Sequence, residues 1–355
     1  MSKTHFMALD THCGFCELAV VTQAGRLVQR RHCATNIPDL RAALEAIRRP
    51  RCLTFEEGPL ADWLARNLAP CVDRLIVCEP RRNRLMAREG DKDDPLDAEK
   101  LAQLFRGGYL KEVHQAASLE RSLLKQHVCL YHDRVRERVR QGHQLVAQLR
   151  RHGVFVSIDA LTDPTERKRL RQRLPKDRML YQNLERIWEV YELLCTQERA
   201  IRAELIGRAR RQEVVRRFTE LPGFAWIRSL TFYVFVDTPW RFEHKSALWR
   251  YCGIGLKRRR SGNGRCKTLL DHRGNRRLKG VLLGAAQTAI NHDDNPLADK
   301  FRYWTEEEGM HPATARRNVA RCLATTLWSL WRSNRRYDPA LVRGAGRPTA
   351  RQSSR

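Results

Sequence analysis

Hydrophobic runs of two periods alternate through the first hundred residues, and their order restricts the fold more than any other feature of the chain. "HFMALD" is a short buried-strand run, and "ELAVVTQ" and "RLVQRRH" flank the turn "AG", so the three read as a strand meander. Asn36 with Pro38 caps a helix through "DLRAALEAIRR". "CLTFEE" follows as a fourth strand, "LADWLARNLA" as a helix and "DRLIVCE" as a fifth strand, and a last helix begins at Asp94. This order predicts a mixed sheet with helices packed on it, an α/β domain over residues 1–112.

Residues 113–214 change period. Leu124, Val128, Tyr131, Val135, Val139, Val146 and Leu149 mark a long charged helix ending near residue 152. Leu184, Ile187, Tyr191, Leu194, Ile201 and Leu205 mark a second from 178 to 218, after a loop with Pro164 and Pro175. Two antiparallel helices, or a coiled-coil arm, are expected. Residues 215–340 read as a mostly helical C-terminal domain, and residues 341–355, ending "RGAGRPTARQSSR", as a disordered basic tail with nothing to bury.

The 67 Lys and Arg residues against 40 Asp and Glu give a net charge of +27, which calls for a polyanionic partner, and nucleic acid is the obvious one. A membrane fits poorly, because the apolar runs near "LTFYVF" and "VLLGAA" are too short to span a bilayer. "MSKTHFMALDTH" has no signal-peptide pattern, and the eleven cysteines are spread singly, so reduced thiols in the cytoplasm are expected. The one close pair, Cys13 and Cys16 in "CGFC", lacks further zinc ligands at matching spacing and falls in a hairpin turn, an incidental placing.

Against that basic background, "GDKDDPLDAEKLAQLF" concentrates Asp91, Asp93, Asp94 and Asp97. Asp94 as helix cap, Pro95 at the first helical position and Asp97 three residues after the cap form a helix-start signature that needs no chemistry, and Asp91 and Asp93 read as solvated loop charges. Two other carboxylates add to it. Asp10 ends the first strand and Glu56 the fourth, each directly after apolar residues, while alternation points Glu57 to the opposite face. In a sheet of this order the ends of strands one and four lie side by side, and the start of the last helix can fold over them. Four converging acids repel unless cations lie between them, and oxygen donors in that number suit two Mg²⁺ ions at a phosphodiester.

Asp10 in "ALDTH", Glu56 in "FEEG", and Asp94 and Asp97 in "KDDPLDAEKLA" resemble the DEDD tetrad of the RuvC-like domain, an RNase H fold, of bacterial insertion-sequence transposases of family 110, which are bridge-RNA-guided recombinases. The family's last motif is K-[ST]-D-x-x-D-A followed by L-A or I-A; here Asp93 stands where Ser or Thr is usual. A nucleophilic serine follows in that family, in a Ser-Gly pair between a strand end and a basic helix start. "CGIGLKRRRSGNGRCKTLLDHRGNRRLKG" places Ser261 there, without the usual proline.

Taken by itself, "RSGNGR" is a flexible loop able to present a hydroxyl to a phosphate, or a surface turn whose cations merely touch backbone. Lys257, Arg258, Arg259, Arg260, Arg265, Lys267, Arg273, Arg276, Arg277 and Lys279 against only Asp271 predict a phosphate-neutralising patch with steep salt dependence. "ELPGFAWIRSL" resembles the family's P-G-[IV]-G-x-x-x-[AS] segment with Ala225 at the second glycine, either a phosphate-binding turn or a plain turn between helices. Trp226, Trp240, Trp249, Trp304, Trp328 and Trp331 could stack on bases, but their helical spacing favours packing.

The resemblance implies a transposase or DNA recombinase that cuts and rejoins DNA through Ser261, assisted by two Mg²⁺ on Asp10, Glu56, Asp94 and Asp97. It also implies DNA and a guide non-coding RNA as partners, a homo-oligomer (dimer or tetramer) sharing sites between protomers, and a place in the bacterial cytoplasm at the nucleoid. Two rivals stay open: a RuvC-like junction resolvase or nuclease using metal-activated water, and a catalytically inactive nucleic-acid-binding protein.

Overall fold

The N-terminal alternation folds as a five-stranded mixed sheet. β1 (His5–Thr11), β2 (Phe15–Thr22) and β3 (Leu27–Ala34) form the antiparallel meander; β4 (Arg51–Glu56) joins parallel to β1, and β5 (Arg74–Cys78) parallel to β4, in the order β3-β2-β1-β4-β5. This is the RNase H and RuvC-like topology. β2 starts two residues earlier than its apolar run suggests, at Phe15, so Cys13 falls in the turn and Cys16 in the strand. The computed structural model describes residues 4–80, 94–116, 118–259, 267–271, 273–292 and 295–344. Asp91, Asp93, Arg260, Ser261, Arg265 and the tail from 345 lie outside them, as do the side chains of Asp94, Arg258, Arg259 and Lys267. The chain divides into two units, Met1–Ala117 and Ser118–Arg355.

In the first unit, the period of two assigns each strand residue to one face. Met7 and Leu9 of β1, Leu18 and Val20 of β2, and Leu53 and Phe55 of β4 pack on α1 (Ile37–Glu45) and α2 (Ala61–Leu68). α1 starts where Asn36 accepts the Asp39 N–H at 2.9 Å. On the opposite face, Phe6, Ala8 and Val21 pack with Leu101 and Ala102 of α3 (Asp94–Arg106). Each such fully buried aliphatic or aromatic side chain contributes roughly 1.5–3 kcal/mol. The outer edge of β5 is covered by the chain after α3, where Val113 N donates to Val77 O at 2.7 Å and Glu79 N to Lys111 O at 3.1 Å.

The second unit opens with α4 (Leu119–Arg151), capped by Ser118, then α5 (Pro164–Gln172) and α6 (Arg178–Arg210), capped by Asp177. α4 and α6 have 33 residues each, about 50 Å of helix. They run antiparallel: Leu124 and Val128 share a core with Leu205 and Ala209, whereas Leu145 and Leu149 pack with Leu184, Trp188 and Tyr191 at the other end. α5 lies where the sequence suggests only a loop. Asp163 accepts the Thr165 N–H and Pro164 opens the helix, so the proline starts a turn of helix there instead of preventing one.

α7 (Glu213–Phe218), α8 (Trp226–Val236) and α9 (Lys245–Tyr251) follow, then a hairpin of β6 (Leu256–Arg259) and β7 (Lys267–Leu270). α10 (Arg276–Ile290), α11 (Pro296–Arg302), α12 (Pro312–Ser333) and α13 (Pro339–Gly344) complete the unit. Phe218, Leu230, Phe232, Leu282, Leu323 and Leu327 are buried in its core. Trp226, Trp249, Trp304, Trp328 and Trp331 pack against that core, as their spacing implies, while Trp240 is 67% exposed beneath the Arg332 guanidinium. Among the described residues no helix is long and apolar enough to cross a membrane.

Candidate functional site

Parallel pairing sets Leu9 of β1 beside Phe55 of β4, so the next residues, Asp10, one short of the end of β1 at Thr11, and Glu56, the last of β4, lie on neighbouring strands about 4.8 Å apart. Both follow residues that face α1 and α2, and both therefore belong to the face covered by α3. Glu57, beyond the strand end, is exposed.

α3 is oriented by its other end. Gln103 Nε2 donates to Gly25 O at 2.7 Å in the β2–β3 turn, and the Phe105 ring meets Phe6 edge-on at 5.5 Å, beside the start of β1. Back from Phe105 to Asp97 is eight residues, about 12 Å of helix; forward from Phe6 to Asp10 is four residues, about 13 Å of strand. The first turn of α3 thus comes level with the end of β1. Asp97, Leu101 and Phe105 form one i, i+4 row, and Asp94 is the first residue of the helix.

The same end of the sheet carries a third strand carboxylate not singled out from the sequence. Glu17 of β2 pairs in register with Asp10 and is 9% exposed. Like charges directly opposite each other destabilise an antiparallel pair. Here each has an imidazole: His32 Nδ1 lies 2.6 Å from Glu17 Oε1, and His12 Nε2 lies 3.2 Å from Asp10 Oδ2. Phe15 stacks between the two rings, at 4.7 Å from His12 and 4.9 Å from His32. The one clue in the sequence is a lone acid inside the apolar run "FCELAVV".

The donor set is all carboxylate oxygen, which suits a hard divalent cation. Among the described residues, no three His, Cys, Asp or Glu side chains are gathered around one point. Asp97 instead lies 3.6 Å from the Lys100 ammonium, and Asp10 is held by His12.

In the second unit, the basic stretch folds as the β6–β7 hairpin followed by α10. Lys257 and Arg276 are exposed, and Lys279 is half-buried. Gly274, at φ +128, lets the chain pass between hairpin and helix, because a Cβ there would lie 2.5 Å from Arg250 O. Asn275 then caps α10 by accepting the N–H groups of Arg277 and Leu278 at 3.0 Å. Arg277 is not a free cation. Its guanidinium donates to Asp133 Oδ1 at 2.6 Å and to Cys129 Sγ at 3.2 Å, tying α10 to α4. Desolvation raises the Asp133 pKa, but Arg277 and Arg136 outweigh it and hold the carboxyl below its ordinary range.

The "LPGFA" turn joins α7 to α8 and packs on α10. Gly223 sits at φ +81 with its Cα against Ala285, and Arg228 Nη1 reaches back to Gly223 O at 2.7 Å and to Thr288 Oγ1 at 3.0 Å. This glycine has a packing reason to be there.

Residues 215–302 match the family described as Transposase IS116/IS110/IS902 family. No curated protein matches the chain. The matched transposase segment runs from within α7 to the end of α11 and so contains the "LPGFA" turn, the basic hairpin with Ser261 between its strands, and α10. It excludes the carboxylate-bearing sheet, which rests on its own topology.

Proposed function

We propose that this chain is a DNA transposase of a bacterial insertion sequence, which cuts and rejoins strands through Ser261 with two Mg²⁺ held by Asp10, Glu56, Asp94 and Asp97. The observation that carries it is the transposase match across the basic hairpin in a chain whose RNase H-type sheet pairs Leu9 with Phe55, the residues just before Asp10 and Glu56. The Ser261 hydroxyl oxygen attacks phosphorus, a DNA oxygen leaves and takes up a proton, and the resulting serine–phosphate ester is reversed by a DNA hydroxyl of the partner strand. When bound, Mg²⁺ offsets the phosphate charge and favours an ionised hydroxyl. The carboxylates orient that chemistry, while Lys257, Arg258, Arg259, Arg260, Arg265, Lys267, Arg276 and Lys279 hold the DNA backbone by charge, with Arg277 anchoring α10 beneath them. The excess of 27 positive charges suits a large polyanion, and we include a structured guide RNA and a homo-oligomer pooling sites from different protomers in the proposal, acting at the bacterial nucleoid.

The test uses the full-length protein with a plasmid carrying the element ends. Asp10→Ala and Ser261→Ala are each expected to abolish cleavage, with a covalent protein–DNA adduct formed only when Ser261 is present. Cleavage retained by Ser261→Ala but lost in Asp10→Ala would instead identify a metal-dependent nuclease using water. Cleavage unaffected by both substitutions would refute the assignment.

A further inference from the structure

A groove of about 580 Å³ in the second unit is lined by α4, α6, the start of α8 and α10. Its floor is apolar, from Tyr131, Val135, Ile206, Trp226, Ile227 and Val281. Its walls carry five arginines, Arg136, Arg202, Arg228, Arg276 and Arg277, on three helices and the start of a fourth. Asp133 is the carboxylate beside them, and it bridges Arg136 and Arg277. No carboxylate among the described residues pairs with Arg202 or Arg276, both exposed. The α10 wall has room: a Cβ on Gly280 would meet nothing within 4 Å, and one on Gly284 would make ordinary contact with the Arg228 guanidinium.

A cationic rim over an aromatic and aliphatic floor matches an unpaired nucleotide, whose phosphates are anionic and whose base has an apolar face. In a duplex the base faces are stacked on one another, so only backbone could meet the rim and the floor would be left against water. An acidic peptide without aromatic residues would satisfy the arginines but has no flat apolar group for the floor. We infer that this groove seats one nucleotide of a single-stranded segment, its base on the Trp226 and Ile227 floor and its flanking phosphates on Arg136, Arg202 and Arg276. This deepens the proposed function, since it rests on nucleic acid being the partner, and it adds Arg136 and Arg202 to the residues that meet it.

The experiment is fluorescence anisotropy with labelled dT12 and rU12, a 12-base-pair duplex and a polyglutamate of equal length. It uses the full chain as Ser261→Ala in EDTA, so that loss of cleavage chemistry cannot imitate loss of binding. Gly280→Leu fills the groove at a helical site with room for a side chain and is expected to weaken dT12 or rU12 at least tenfold; whichever oligonucleotide binds more tightly identifies the source of the strand. Arg202→Gln is expected to lower the slope of log K against log salt by about 0.7, one phosphate contact on a single strand. Arg186→Gln, an equal charge change about 24 Å along the same helix, should leave both readings within twofold. Oligonucleotide binding unchanged in both groove variants overturns the inference. So does an equal loss for the duplex or the polyglutamate, and if Gly280→Leu fails to fold, an unchanged salt slope in Arg202→Gln does the same.

Discussion

Gly223→Ala tests how the transposase-like segment is built. At φ +81 an L-residue costs about 1–2 kcal/mol relative to glycine. The added methyl would also lie 2.2 Å from Ala285 O and 2.9 Å from its carbonyl carbon, backbone of a helix that cannot rotate away. Relieving such overlap by shifting packed elements costs about 1–3 kcal/mol. Lower entropy of the unfolded chain returns about 0.4–1 kcal/mol. The net is a loss of roughly 2–4 kcal/mol, which in a unit of this size lowers Tm by about 4–16 °C. Urea and thermal unfolding followed by circular dichroism would measure it, with the m-value unchanged. A Tm within 1 °C of the parent, combined with weaker DNA binding, would refute the packing account and make the glycine a phosphate contact.

Three further outcomes are expected. Arg277→Ala should destabilise the second unit by about 1 kcal/mol, because it leaves the half-buried Asp133 without its tie between α10 and α4, whereas exposed Arg276→Ala should stay within about 0.5 kcal/mol; a double cycle with Asp133→Ala checks the coupling. His132 is half-buried, and that desolvation, followed by the nearby Arg277 charge, lowers its pKa. Its Nε2 lies 3.0 Å from Thr231 Oγ1, whose own proton goes to Ile227 O at 2.7 Å, so the neutral Nε2–H form fits the site. The unfolded chain then binds the extra proton, and His132 should cost stability progressively as pH falls below about 6.5; unfolding titrations of His132→Gln should lose that part of the slope. Finally, Cys13 is exposed whereas Cys252 is fully buried with its thiol pKa driven sharply upward, so a thiol reagent should modify Cys13 in the native state and reach Cys252 only on unfolding, as peptide mapping would show.

Much of the first unit was legible because strand and helix periods are local properties. Met7 and Leu9 against Phe6 and Ala8 already separate the two faces of β1, and the β-β-β-α-β-α-β-α order admits few sheets. The side-by-side placing of β1 and β4 followed from that order, and the parallel register sets Leu9 beside Phe55, the residues just before Asp10 and Glu56. Glu17 was not singled out, because a lone acid in an apolar run gains meaning only when the register sets it across from Asp10. α5 is illegible in the sequence for a similar reason. "TERKRLRQ" has one apolar residue, and Leu170 acquires its role only from the small core at the far end of the helical pair.

The sequence by itself determined the period of each element, the cap at Asn36 and the large positive charge, since each depends on a residue and its near neighbours. Tertiary structure alone decided what the charges meet. Arg277, one cation in a basic run, is bound to Asp133 of a helix 144 positions earlier, and Arg136, Arg202 and Arg228 converge on one groove from three helices. Side-chain encounters across such separations depend on packing, which brings together faces that no local pattern relates.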